Sequence, residues 1–211
     1  MHRTIRILAL AALSLLTAAA HAAERWYVLQ LDGTRAGWSR ETTTTKDNRI
    51  TSTNEMKMVI RRMGQELAVH LSTEFIETDA GDPVSMKSVQ ALGAATVTDT
   101  YTFIPGIDSY EILQVTESPA GRTEKKLPWP PGAPGTDWFS PAAAAREVER
   151  RIAAGENTIT ITTFDPTTGI TPVTITSTIH QRDIPIEVFG KTVSAIEWTT
   201  TTSAMPGIEA R

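Results

Sequence analysis

The sequence contains no cysteine. That absence excludes a thiol nucleophile, a cysteine zinc site, dithiol redox chemistry, a lipid-modified N-terminal cysteine and any disulfide framework. Histidine is scarce: His2 and His21 lie in the N-terminal segment, which leaves His70 and His180 for the rest of the chain. Neither belongs to an H-E-x-x-H or H-x₃₋₅-H arrangement, so both read as solvated strand residues and no metal centre is expected. No serine stands in a G-x-S-x-G elbow or an S-x-x-K motif, and no glycine-rich loop is arranged to cradle phosphate. No catalytic residue and no cofactor are therefore expected.

Positive charge is also sparse. Lys and Arg number 20 against 24 Asp and Glu, and no basic run exceeds a pair (Arg61-Arg62, Lys125-Lys126, Arg150-Arg151). Contacts to phosphates supply so much of nucleic-acid affinity that this balance argues against a nucleic-acid partner, and equally against an anionic membrane surface.

Long hydrophobic runs are missing but for one. Arg3 and Arg6 open a basic start, Ile7 to Ala20 is a run of Leu, Ala and Ile broken by Ser14 and Thr17, and Ala20-His21-Ala22 follows. A basic start, a short apolar run and small residues at the end are the parts of a secretory signal peptide. The run is shorter than the roughly 20 residues a bilayer core requires, so cleavage is preferred to a transmembrane anchor. Residues 1–22 are thus expected to be a signal peptide, and 23–211 a single exported domain, periplasmic or extracellular. Without Arg3 and Arg6 the mature part has 18 basic against 24 acidic residues, near −6.

What is present from Trp26 onward is alternation broken by turns. Strands are expected at Trp26–Leu31, Trp38–Thr45, Ile50–Met63, Glu66–Glu77, Val84–Leu92, Thr96–Ile104, Ser109–Ser118 and Thr123–Leu127. Thr158–Phe164, Thr171–Arg182, Ile186–Phe189 and Thr192–Thr202 continue the series. Asp32-Gly33, Lys46-Asp47-Asn48-Arg49, Gly81-Asp82-Pro83, Gly93, Pro105-Gly106, Pro119-Ala120-Gly121, residues 165–169 and Gly190-Lys191 carry turn chemistry. Gly64-Gln65 fits a hairpin turn that sets Ile60 opposite Val69 and Met58 opposite Leu71 on one apolar face.

One helix interrupts the strands at about 140–154, with Ser140 as N-cap, Pro141 at its first position and Gly155 past its end. Ala145, Val148 and Ile152 line the face expected to dock on a sheet. The proline-rich run from Leu127 to Gly135 reads as a rigid loop packed on the domain. The expected fold is mainly β (α+β): a long curled antiparallel sheet, an open half-barrel, with one inserted helix.

Three clusters invite a functional reading. Glu74, Glu77, Asp79 and Asp82 fit no Ca²⁺-loop spacing and read as a charged turn. The Thr-x-Thr runs lack a regular repeat and read as a solvated β face. Trp26, Trp38, Trp129, Trp138 and Trp198 are the candidate ligand-binding residues, with packing between sheet and helix as their commoner use.

Trp26-Tyr27-Val28-Leu29-Gln30-Leu31-Asp32-Gly33-Thr34-Arg35-Ala36-Gly37-Trp38 resembles the N-terminal region of secreted bacterial transglutaminase-like proteins. There, a strand, a turn and a second strand with Gly followed by Trp or Tyr open a domain ahead of the catalytic core. Ser85-Met86-Lys87-Ser88, Leu127-Pro128-Trp129 and Ser203-Ala204-Met205-Pro206-Gly207-Ile208 extend the likeness, and the broader pattern is similar to half-barrels of the lipoprotein-carrier type. The Cys-His-Asp triad of a transglutaminase core has no counterpart in a chain without cysteine. The resemblance implies a non-catalytic exported accessory domain that holds a protein partner or substrate. A stand-alone carrier of an apolar ligand, a lipid or lipoprotein, is the alternative, and an enzyme with an unreadable site comes last. Thr192–Thr202 would leave a long edge uncovered, so the functional unit is expected to continue past Arg211.

N-terminal sequencing of the exported protein should begin at Ala23. A membrane-embedded product that keeps Met1 would refute the leader reading.

Overall fold

The computed structural model describes residues 23–31, 34–62, 65–105, 111–132, 134–164, 170–188, 191–203 and 209–210. The expected signal peptide, the turns at Asp32-Gly33, Gly64, Gly106, 165–169 and Gly190, and Met205-Pro206-Gly207 lie outside these residues.

Local turn chemistry folds the first two-thirds of the chain back on itself strand by strand. β1 (Ala23–Leu31), β2 (Thr34–Lys46), β3 (Arg49–Arg62), β4 (Gln65–Thr78), β5 (Pro83–Leu92), β6 (Ala95–Ile104), β7 (Glu111–Ser118) and β8 (Gly121–Pro128) form one antiparallel meander in chain order. Asp47 and Asn48 carry the β2–β3 turn with φ of 52° and 57°, the left-handed pair that a tight hairpin needs and that Asp and Asn tolerate. The sheet is not closed: among the described residues β1 and β8 each have a single neighbour.

The β3–β4 register differs from expectation. Met58 faces Val69 and Met56 faces Leu71, a slip of two residues, and Arg62 pairs with Gln65. A slip of two preserves faces, so the apolar rows stay together. Lys57, rather than Val59, stands opposite His70.

The remaining strands form a second sheet of four, in the order β12, β11, β10, β9. These are β9 (Thr158–Phe164), β10 (Pro172–Val188), β11 (Lys191–Thr202) and β12 (Glu209–Ala210). Two expected strands are merged in β10, where register shifts between Ile179 and Ile184 and a φ of 54° at Asp183 absorb the irregularity without ending the strand. The edge of β11 is partly covered, because Thr200 pairs with Ala210 and Thr201 with Glu209.

Helix α1 (Pro141–Ala153) joins the two sheets. Ala144, Val148 and Ile152, spaced four apart, meet Ile159, Ile161 and Ile179 of the small sheet, with Ile175 and Trp198 alongside. Ala145, expected on this face, is exposed, because the contact stripe runs one residue earlier. Below the large sheet a second cluster gathers Phe75, Met86, Tyr101, Phe103 and Ile112 with Trp138 and Phe164. The proline-rich segment lies on it: Trp129 is 5.6 Å from Phe103, and Trp138 is 4.9 Å from Phe164.

The helix start is held from a distance. Ser140 occupies the N-cap with extended backbone, but its hydroxyl donates to the Gly81 carbonyl at 2.8 Å rather than accepting from the helix. Glu77 of β4 does the capping: its carboxylate accepts from the Ala142 and Ala143 amides, each at 2.9 Å, with Arg146 at 3.6 Å. Its side chain is wholly buried. Burial pushes the Glu77 carboxyl above the ordinary range, against the pull of the two amides and Arg146.

A raised folded-state pKa means that the unfolded chain loses this proton first. The stability tied to Glu77 is then full below about pH 4.3 and falls as pH rises through the folded value. Glu77→Gln should cost about 1–3 kcal/mol, since an –NH₂ would face an amide donor. The lead of the parent over this variant in paired urea melts should shrink as pH rises through that window. A lead that grows with pH would contradict the assignment.

Candidate binding surface

Strand parity divides the large sheet into an inner face, which packs, and an outer one. Trp26, Val28, Ala36, Trp38, Lys57, Val59, Ala68, His70 and Ala91 all fall on the outer face of β1–β5. Gly37 sets the geometry: a Cβ there would come within 2.0 Å of the Lys57 carbonyl oxygen, so only glycine permits β2 this close to β3. Trp38 then stands beside Trp26, with ring centroids 5.1 Å apart and planes at 49°.

Cations cover both rings. The Arg40 guanidinium is 5.5 Å from the Trp26 centroid, and the Lys57 ammonium is 5.4 Å from that of Trp38. Glu55 gathers these charges, 2.9 Å from Lys57 and 3.5 Å from Arg40, and Lys57 above all holds its carboxyl below the usual range. His70 Nε2 lies 3.2 Å from Glu55, at ion-pair distance but not aligned for a hydrogen bond. The Trp26 indole donates to Glu24 at 2.7 Å, which fixes its ring although the residue is 51% exposed. Beside Trp38 opens a shallow hollow of about 390 Å³ lined by Lys57, Val59, Ala68, His70 and Ala91. Oriented indoles, small apolar side chains and a rim of paired charges make a surface suited to contact with another molecule.

The inner face has a different character. One row, Arg25, Glu41, Asn54, Thr73, Ser88, Asp99, Thr116 and Thr123, crosses every strand of the large sheet and is polar at each position. Tyr27 donates to Glu41 at 2.8 Å, Asn54 donates to Glu41 at 3.3 Å, and Gln114 donates to Asp99 at 2.9 Å. Burial beside the Glu41 carboxylate pushes the Tyr27 hydroxyl up to about 12. Arg25 reaches Glu149 of the helix at 3.7 Å, over a hollow of about 270 Å³ that Glu41, Thr45 and Arg146 also line.

The five tryptophans do not converge. Trp129 and Trp138 build the aromatic floor, Trp198 packs on the small sheet, and Trp26 with Trp38 stands outside. Within the acidic cluster, Glu77 proves to be the helix cap; its parity with Val69 and Leu71 marked a carboxylate on the packing face. His180 is exposed and bonded to Thr199. Among the described residues no group of His, Asp and Glu could hold a metal ion, and no helix is long and apolar enough to cross a membrane.

No family model matches the chain, and no curated protein matches it. Among solved structures it is similar to a crystal structure of a beta-barrel-like protein of domain of unknown function DUF1849 from Brucella abortus. Identity is 13% and the TM-score 0.49, over 86% of this chain and 70% of that one.

The two placements of tryptophan should separate in stability. Trp138→Ala, at 1% exposure, should cost about 3–5 kcal/mol. Trp26→Ala should stay within about 0.5–1 kcal/mol of the parent. Equal losses in urea melts would show that the outer pair is a packing feature too.

Proposed function

We propose that this chain is a non-catalytic exported binding domain whose working surface is the outer face of β1–β5. The supporting observation is the Trp26–Trp38 pair, held in a fixed tilt by Gly37, Glu24, Arg40 and Lys57 yet left open rather than packed. Indoles oriented in this way, next to a shallow apolar hollow, suit a protein partner. Tryptophan and arginine are the side chains that most often dominate such contacts. Export follows from the leader pattern at Met1–Ala22. The resemblance to transglutaminase-like proteins supports an accessory role, in which the domain holds the partner or substrate while chemistry is done elsewhere. The alternative, a carrier of an apolar ligand inside the half-barrel, would need an inner hollow lined by Trp and Met. The inner face has a filled aromatic floor and a polar row, which favours the outer surface; the apolar row beyond them, Met56, Met58, Val69, Leu71 and a half-exposed Leu92, is what supports the carrier as the second reading.

A photo-crosslinker at position 59, compared with one at position 126 on β8, tests this reading in the exporting cell. The first should give one discrete adduct and the second none. With that partner purified, Trp38→Ala should weaken binding by roughly 30-fold, the scale of a hot-spot truncation. The apolar probe N-phenyl-1-naphthylamine should remain dark with the isolated protein. An unchanged affinity in Trp38→Ala together with a bright probe would shift the function to the carrier reading.

A further inference from the structure

The edges of the two sheets are protected unequally. Every residue of β8 except Leu127 is exposed, and the strand is guarded by Arg122, Glu124, Lys125, Lys126 and a terminal Pro128, the devices that stop strand-to-strand association. The outer side of β9 is met by Phe139, whose amide donates to the Thr162 carbonyl at 2.8 Å. β11 is partly covered by the two-residue β12. β1 carries charge only at its start, Glu24 and Arg25, and among the described residues it has neither a proline nor a covering segment. It offers nine residues with no second neighbour among those described, and at its outward positions it exposes Trp26 (51%) and Val28 (38%). A hydrophobic edge of this length is a template for another strand.

We propose that β1 is a self-association edge, and that its occupant is β1 of a second copy, paired antiparallel about a twofold axis through Tyr27. Three observations select this occupant. Pairing residues of equal parity joins outer face to outer face, which a continuous sheet requires. In that register Trp26 stands opposite Val28 of the second copy, twice by symmetry, so each exposed apolar residue meets the other. The strand is also regular from Ala23 to Leu29, with its register shift only beyond Leu29, so Tyr27 and the flanking Trp26 and Val28 all lie in the regular stretch. Such a contact is isologous and closes on itself as a dimer. Because one strand edge buries less than the roughly 1,200 Å² of an ordinary stable interface, the dimer is concentration-dependent. It carries the outer faces of both copies into one continuous surface. It concerns the edge rather than the outer face itself, and does not depend on the binding proposed there.

Sedimentation of the full chain over a wide concentration series tests the pairing. The parent should move from monomer to dimer. Val28→Lys, a lysine guard like that of β8, should remain monomeric with an unchanged melting temperature. Tyr27→Cys should form a disulfide dimer on mild oxidation, since the axis places position 27 opposite itself, and Thr42→Cys, one strand inward, should not. The absence of native cysteine makes both readouts unambiguous. Val59→Lys should impair partner docking and leave dimerisation intact, so the two surfaces can fail separately. A parent that stays monomeric throughout, a dimer that persists in Val28→Lys, or a monomer that takes up a foreign extended peptide at β1 would each overturn the assignment.

Discussion

The position of everything beyond the large sheet depends on one carboxylate. Glu77 sits at the end of β4 on the packing face, and its two oxygens take the first free amides of α1. Those amides would otherwise be unpaired next to a buried alanine, and the same carboxylate draws Arg146 across. Burying a carboxylate is expensive, and its net contribution is small beside the cost of removing either side of the contact. Its effect is therefore mainly geometric. The helix can begin only where Glu77 puts it, and the stripe of Ala144, Val148 and Ile152 then lands on β9 and β10. Ser140, released from capping, ties the helix start to the β4–β5 turn through the Gly81 carbonyl.

With the helix fixed, the inner face of the large sheet is committed. Its lower part is filled by Phe75, Phe103, Trp138 and Phe164, whose rings meet at 4.9 to 6.0 Å. Above that floor runs the polar row, where Glu41 and Asp99 are each satisfied by neighbouring side chains. Thr73 and Ser88 at the centre of this row are buried, while its ends at Arg25 and Thr123 are exposed. Period-two alternation alone could not show this, because in single strands these residues are separated by turns and look like ordinary polar positions. The row exists only when the registers are laid side by side.

What the sequence disclosed was local chemistry. Asp47-Asn48 announced a tight turn, Ser140-Pro141 a helix start, and Val148 with Ile152 the docking face, because each depends on residues within one or two turns of itself. The division into two sheets was illegible, since nothing within a strand says which distant strand it will meet. The β3–β4 slip has a similar cause: glycine favours a turn at more than one position, and faces survive a shift of two. β10 looked like two strands because the residues at Asp183 and Pro185 read as a break, whereas a bulge accommodates both. The tryptophans were legible as large apolar side chains but not as three that pack and two that do not. That distinction rests on parity relative to a core contributed partly by β9 and residues 129–139.

Parity also explains why the exposed pair has its particular form. The inner positions of β1 and β2 are taken by Tyr27, Leu29, Ser39 and Glu41, and Trp26 and Trp38, of opposite parity, fall on the outer face. An outward indole on a flexible sheet would wander, lose entropy on contact and make a poor anchor. Gly37 prevents this by bringing β2 against β3 so closely that the Lys57 backbone defines one wall and its ammonium caps the ring. The Gly-Trp step that stands out in the sequence is thus a single device. The glycine supplies the approach, the tryptophan supplies the surface, and neither would have its present role without the other.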